Sequence, residues 1–282
     1  PDRVGVEVPY LNKVGEGILM GMELGADTGG FGLMMAQSIP AEDGNGAQEM
    51  GIIMGAAGNP IPIWVNKDGD RFVDETSSFD FPLAANAIYS QRDSYAWSIW
   101  DEEFTTYLKE HGLDLGIGTN VPVGTKLDVM KEMVRCVEEG CPDTFIADSI
   151  PELAQMIGID PDRLKQTVDR YNGFVATHRD PEFFKNPAFM RPVGLGKGKV
   201  MACRLVPGHL VSIGGLRVTP ETEVMDKNGK PVVEGLYAAG ADVGGFWGDT
   251  YEVRRAGAMM SWASTSGRIA GANAAALAKK NK

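Results

Sequence analysis

Residues 235–271 read GLYAAGADVGGFWGDTYEVRRAGAMMSWASTSGRIAG. The apolar run Leu236–Ala239, closed by Gly240, predicts a short buried strand. Asp242 lies just past its carboxyl end, where open α/β sheets take their ligands and a carboxylate accepts from ligand hydroxyls. Gly244-Gly245 lets the backbone approach a ligand closely. The small residues from Gly257 to Lys279 predict a long helix. Its first amides have no partner within the helix and carry partial positive charge, which suits a flat ring whose carbonyl or nitrogen gains negative charge. The same parts also occur in a strand–turn–helix that binds nothing.

Upstream of this stretch, PVVEGLYAAG and GGLRVT flank Asn228-Gly229 and predict two strands around a tight turn. Residues 191–208 are rich in Pro, Gly and basic side chains and read as a linker. The block before them is mainly helical. Asp160-Pro161 starts a helix with Leu164, Val168, Tyr171 and Val175 on one face. Ser149 and Glu152 form a capping box, with Gly158 as the stop. Leu127, Met130, Val134 and Val137 mark a helix closed by Gly140, and residues 101–111 a shorter one closed by Gly112. IPIWV and RFVDE around Asp68-Gly69 predict a hairpin. Val14, Ile18 and Met22 recur at helical spacing with Gly25 as the stop. Residues 28–60 show no clear period.

The whole chain has 282 residues, 43% of them hydrophobic, and a net charge of −11. Length suggests one large or two ordinary domains. The acidic balance, without a basic run, disfavours nucleic acid as a partner. No run of 18 apolar residues occurs, so no spanning helix is expected. Cys136, Cys141 and Cys203 match no zinc spacing, and no metal site is expected. An odd cysteine count fits a reduced setting.

The chain resembles the flavoprotein family typified by fumarate reductase and succinate dehydrogenase. The resemblance rests on GLYAAGAD and GRIAG in the terminal segment, GDRFVDE at 69–75, and IPELAQMIGIDPDRLKQTVDRYN at 150–172. PGHLVSIGGLRV at 207–218 and VGEGILMGMELGA at 14–26 complete it. It implies an α/β fold: a Rossmann-like FAD-binding domain with an inserted, mainly helical α+β cap. The expected division is FAD-domain segment 1–40, substrate-capping domain 41–208 and FAD-domain segment 209–282. The G-x-G-x-x-G turn is absent, so a further unit of about 100–200 residues is expected before Pro1.

The implied cofactor is FAD, whose N5 exchanges a hydride with an activated C=C or CH–CH unit of a small-molecule substrate. Position by position, the resemblance places FAD contacts on Glu16, Val211, Gly214, Asp242, Met259 and Met260. Fumarate reductases hold charge-gripping side chains where this chain has Ile39 and Phe79. Each lost charge-assisted pair removes about 1.5–3 kcal/mol of carboxylate binding, so fumarate and succinate are not the expected substrates. Ketosteroid dehydrogenases of the family carry a carbonyl-polarising tyrosine at the bend. Tyr251 falls there, and Arg254 matches the family's arginine before the helix; these two are the expected catalytic residues. Tyr251 also has a plainer reading, a packed ring with its hydroxyl on the backbone. Neither a haem-attachment nor an iron–sulfur pattern occurs, so electrons are expected from an external donor. The competing reading is a non-catalytic cap and half-domain that does not hold FAD by itself.

Overall fold

The computed structural model describes residues 15–31, 34–40, 47–116, 121–196, 198–247, 251 and 257–281, with the backbone alone at 34–40, 47–51 and 209–212. Along the chain run α1 (Glu16–Glu23), β1 (Thr28–Gly29), β2 (Met34–Pro40), α2 (Ala47–Ala57), β3 (Ile63–Val65), α3 (Phe81–Tyr89) and β4 (Ala96–Asp101). There follow α4 (Glu102–Glu110), α5 (Val129–Glu138), β5 (Thr144–Ala147), α6 (Ile150–Met156), α7 (Pro161–Ala176), β6 (Val200–Ser212), β7 (Gly215–Leu216) and α8 (Ala258–Lys280). The chain divides into two compact units: residues within 7–36 and 209–282, and residues within 37–208.

In the second unit helices α3 to α7 begin where a side chain can accept an orphan amide. Asp80 caps α3, Asp101 caps α4, Asp128 caps α5, Ser149 caps α6 and Asp160 caps α7. Such caps contribute about 1 kcal/mol each. At α6 Glu152 reaches back to the amide of Asp148 at 2.8 Å while its own amide donates to Ser149 Oγ. Gly112, Gly140 and Gly158 end α4, α5 and α6 with φ between +73° and +88°, a region open to glycine at no steric cost.

The strands order β2-β6-β4-β3, and β5 also pairs with β6. Antiparallel pairing sets Ile99 opposite Ala202 and Ile63 opposite Ile99. Every residue of β4 is buried. Its alternate side chains serve two cores. Ala96 and Trp100 join Ile53, Ile88, Leu108, Met133 and Cys136. Trp97 and Ile99 join Leu153, Leu164, Val168 and Tyr171. The sheet therefore lies between two helical layers.

The first unit has a smaller core of Leu216, Val224, Ala238 and Val243, with Ile18 and Trp262 packed against it. β1 and β7 pair antiparallel, with Gly29 opposite Gly215.

Four expectations are corrected. The supposed linker 191–208 runs into β6, because Val200, Met201, Ala202, Cys203 and Leu205 are apolar and buried between both cores. The second arm of the 61–75 hairpin is a single bridge, Val65 to Arg71. Beyond it the chain tightens into a 3-10 turn, Glu75–Phe79, as Arg71 and Glu75 turn inward. The strand expected at Leu236–Ala239 is one bridge, Tyr237 to Glu223. Only Leu236 and Ala238 exchange backbone hydrogen bonds across it before the chain turns at Gly240–Asp242. The stretch 28–60 holds β1, β2 and α2; its many small residues hide their period.

Candidate functional site

Three glycine pairs meet in the first unit. A Cβ on Gly244 would lie 2.1 Å from both the Gly29 carbonyl oxygen and the Gly215 nitrogen. One on Gly215 would lie 2.3 Å from the Asp242 carbonyl oxygen, and one on Gly214 2.8 Å from that of Gly30. No side chain fits between these backbones. Gly214, expected at the cofactor, is thus glycine for this packing.

The junction seats Asp242. Its exposed carboxylate lies over α1, where a Cβ on Gly17 would fall 2.5 Å from Oδ2. Glu16, also exposed, is the first residue of that helix. The structure thus sets Asp242 against the first turn of the helix that begins at Glu16. The 3-10 turn carrying Asp242 hangs on α8: Trp262 Nε1 donates to the Gly240 carbonyl at 3.2 Å, and the Gly240 amide donates to Ser266 Oγ at 3.0 Å.

Both α1 and α8 start from a glycine in the left-handed conformation, Gly15 and Gly257, and neither glycine offers a side-chain cap. Among the described residues no atom comes within 4 Å of a Cβ built on either. Helices α3 to α7 of the second unit, by contrast, are capped by Asp or Ser. Two helix starts without caps leave amides with partial positive charge for another acceptor.

At α8 one such acceptor is Tyr251. Its ring is buried, 8% exposed, and its hydroxyl oxygen accepts the Met259 N–H at 3.0 Å. The Met259 amide, expected to face the cofactor, is therefore engaged by Tyr251, because Gly257 brings no oxygen of its own. Tyr251 ends an aromatic run. Trp247 meets it edge-on at 4.7 Å, Phe246 meets Trp247 at 4.8 Å, and Phe246 stacks on Trp262 at 4.0 Å. Met260, the other expected contact at this helix start, is 75% exposed. Val211 lies in β6, outside the described side chains, and Arg254 lies outside the described residues.

The second unit holds a buried charge cluster that sequence reasoning missed. Arg71 makes a two-pronged pair with Glu75, 2.8 Å at each prong, and reaches Asp180 at 3.0 Å. Lys185 lies 3.2 Å from Glu75 and donates to the carbonyls of Ile61 and Pro62. The guanidinium also sits over the Tyr171 and Phe183 rings. Burial alone would raise Glu75, but Lys185 and Arg71 beside it hold its carboxyl below the usual range. Burial likewise works against ionised Asp180, and the Arg71 hydrogen bond outweighs it. The visible signal was Arg71 and Glu75 four apart within RFVDE; Asp180 and Lys185 carry none. Nearby, Phe79 is 44% exposed and meets Phe189 at 5.4 Å.

The first unit's residues fit a flavin nucleotide. Exposed carboxylates suit its hydroxyls, and helix starts whose glycines bring no cap of their own suit its phosphates or a ring that gains negative charge. The sequence matches the family of FAD binding domains over residues 8–252, and the chain belongs to that family. A vinyl phenol reductase of Lactiplantibacillus plantarum is 34% identical over 78% of this chain and 44% of its own length. The open conformation of a flavocytochrome c3 fumarate reductase superposes with a TM-score of 0.61 at 27% identity, over 93% of this chain and 40% of that one. A 3-ketosteroid delta1-dehydrogenase from Sterolibacterium denitrificans shares the fold, with a TM-score of 0.66 at 24% identity over 93% of this chain and 47% of that one. The chain thus spans less than half the length of each of these relatives. Among the described residues no helix is long and apolar enough to cross a membrane.

Proposed function

We propose that this chain contributes the catalytic part of a flavin-dependent oxidoreductase acting on an activated carbon–carbon double bond, or the corresponding CH–CH unit, of an aryl-alkene or enone-like substrate. Bound FAD supplies the hydride exchange. Glu16 and Asp242 would accept from its hydroxyls, and the α8 start would hold its ring. The second unit is the substrate cap, and electrons come from a separate donor.

The observation that carries this reading is Tyr251. Its oxygen accepts an amide at the α8 start, and the phenolic proton remains to be given. Hydrogen bonds in series strengthen one another, so the Met259 N–H makes Tyr251 a better donor to a substrate oxygen. If the proton transfers, the phenolate keeps the Met259 amide and the positive helix end. The aromatic run from Trp262 to Tyr251 offers ring faces to an aromatic substrate. Phe79, where dicarboxylate reductases of the resembled family carry an arginine, removes a grip on carboxylate. The vinyl phenol reductase among the relatives supports the same choice.

The test is reduction of a vinyl phenol, an enone and fumarate by the full-length holoprotein with a reduced dye as donor. Turnover of either of the first two well above fumarate is expected; fumarate as the best substrate would overturn the reading. Absorbance at about 450 nm separates the alternative, a cap and half-domain holding no flavin.

A further inference from the structure

Helix α5 ends in a Schellman motif whose two contacting positions are both cysteine. The Gly140 amide donates to the Val137 carbonyl at 3.1 Å and the Cys141 amide to the Cys136 carbonyl at 2.9 Å. Gly140 takes the required left-handed conformation, φ +77°. This pair of bonds folds the residue after the glycine back over the residue five places earlier, and their side chains touch. In most helices that contact is apolar. In CVEEGC it brings two thiols together.

The thiols differ. Cys136 is fully buried in the core shared with Met133 and Leu108, and Cys141 is half-buried at its edge. All three cysteines of the chain are thiols in this structure. Burial first, then the hydrogen-bonded Cys141 thiol, pushes Cys136 up to about 12. Cys141 is therefore the thiol that meets solvent.

We propose that Cys136 and Cys141 form a peroxide-reactive dithiol that closes into a disulfide across the end of α5. The Cys141 thiolate attacks one oxygen of hydrogen peroxide; the O–O bond breaks, hydroxide leaves and takes a proton to become water, and Cys141 becomes a sulfenic acid. Cys136 sulfur then attacks the Cys141 sulfur. The sulfenic oxygen leaves with the Cys136 proton as a second water. Two thiols and one peroxide give one disulfide and two waters. The Schellman turn already holds the two residues side by side, so α5 need not unwind for the bond to form. The cross-link spares Cys141 from irreversible further oxidation.

Cleavage after Lys and Arg leaves Cys136 and Cys141 on one fragment, 136–163, and Cys203 on another, 200–204. The full chain is treated with hydrogen peroxide under native conditions, blocked with iodoacetamide, cut, and weighed by mass spectrometry. Expected is a 136–163 fragment without label and lighter by two hydrogen atoms, restored by dithiothreitol, with 200–204 labelled. Cys141→Ser, at a half-buried position, should abolish that species, and Cys203→Ala should leave it intact. Full labelling of both thiols, sulfinic acid at Cys141, or a link from Cys136 to Cys203 would each overturn the proposal.

Discussion

The Tyr251 hydroxyl accepts the Met259 N–H at 3.0 Å, so one side chain caps α8 and, in the function proposed, would also give its proton to the substrate. Capping and proton donation use opposite ends of the same O–H group. Phenylalanine removes both while keeping the ring against Trp247, so the two losses are told apart by what is measured, turnover for the proton and stability for the cap.

Tyr251→Phe should lower kcat for alkene reduction about 10²–10⁴-fold, the span of a lost general acid. The loss of the cap should cost about 1 kcal/mol of stability. Steady-state turnover and a thermal melt of the full-length holoprotein read the two effects. Unchanged turnover would leave Tyr251 as a cap alone.

Asp242→Ala and Glu16→Ala should each lower flavin content without unfolding the chain, since both carboxylates are exposed. The measurement is the ratio of absorbance at about 450 nm to protein in the full-length holoprotein. A full complement of flavin in the double variant would remove these residues from the cofactor site.

Gly244→Ala sets a methyl group 2.1 Å from the Gly29 oxygen and the Gly215 nitrogen. Overpacking commonly costs about 1–3 kcal/mol, and here backbone must move. Limited proteolysis should show the first unit opening while the second stays resistant. Wild-type resistance across residues 209–247 would contradict the packing described.

Arg71→Met leaves Asp180 and part of Glu75 buried without their cation, at a cost of about 3–5 kcal/mol in urea unfolding. A change under about 1 kcal/mol would mean the cluster relaxes or admits water.

Acid should unfold the second unit through the same residues. The folded-state value of Glu75 is depressed, so its stabilisation is complete above its unfolded value of about 4.3. It is lost as pH falls through the still lower folded value. Asp180 acts in the same sense. Glu75→Gln should be less stable at neutral pH yet show a shallower decline below about pH 4. Parallel acid limbs for the two proteins would place the titration elsewhere.

The helices α4 to α7 are readable from sequence because their signals are local: an Asp or Ser at the start, and at α4, α5 and α6 a glycine at the stop. β6 is not. Val200–Cys203 is apolar and buried between both cores, so it lacks the alternation that marks a half-exposed strand, and Pro207-Gly208 makes it look like a linker. The site divides the same way. Asp242 and Tyr251 stand in a motif, and their carriers were visible. The glycine junction was not, because Gly29, Gly215 and Gly244 need each other only once folded. The Arg71 cluster was hidden for the same reason.

Lys185 holds a carbonyl oxygen 124 residues earlier in the chain, at Ile61, and with it that of Pro62. During synthesis, β3 and the turn at Glu75 leave the ribosome long before Lys185 exists. In that interval Glu75 lacks one of its cations and two carbonyls lack their donor. Contacts so distant in sequence form late and slowly, and they leave apolar surface open meanwhile. The pace of translation between residues 75 and 185 therefore sets how long Ile63, Trp64 and Val65 remain exposed to other chains.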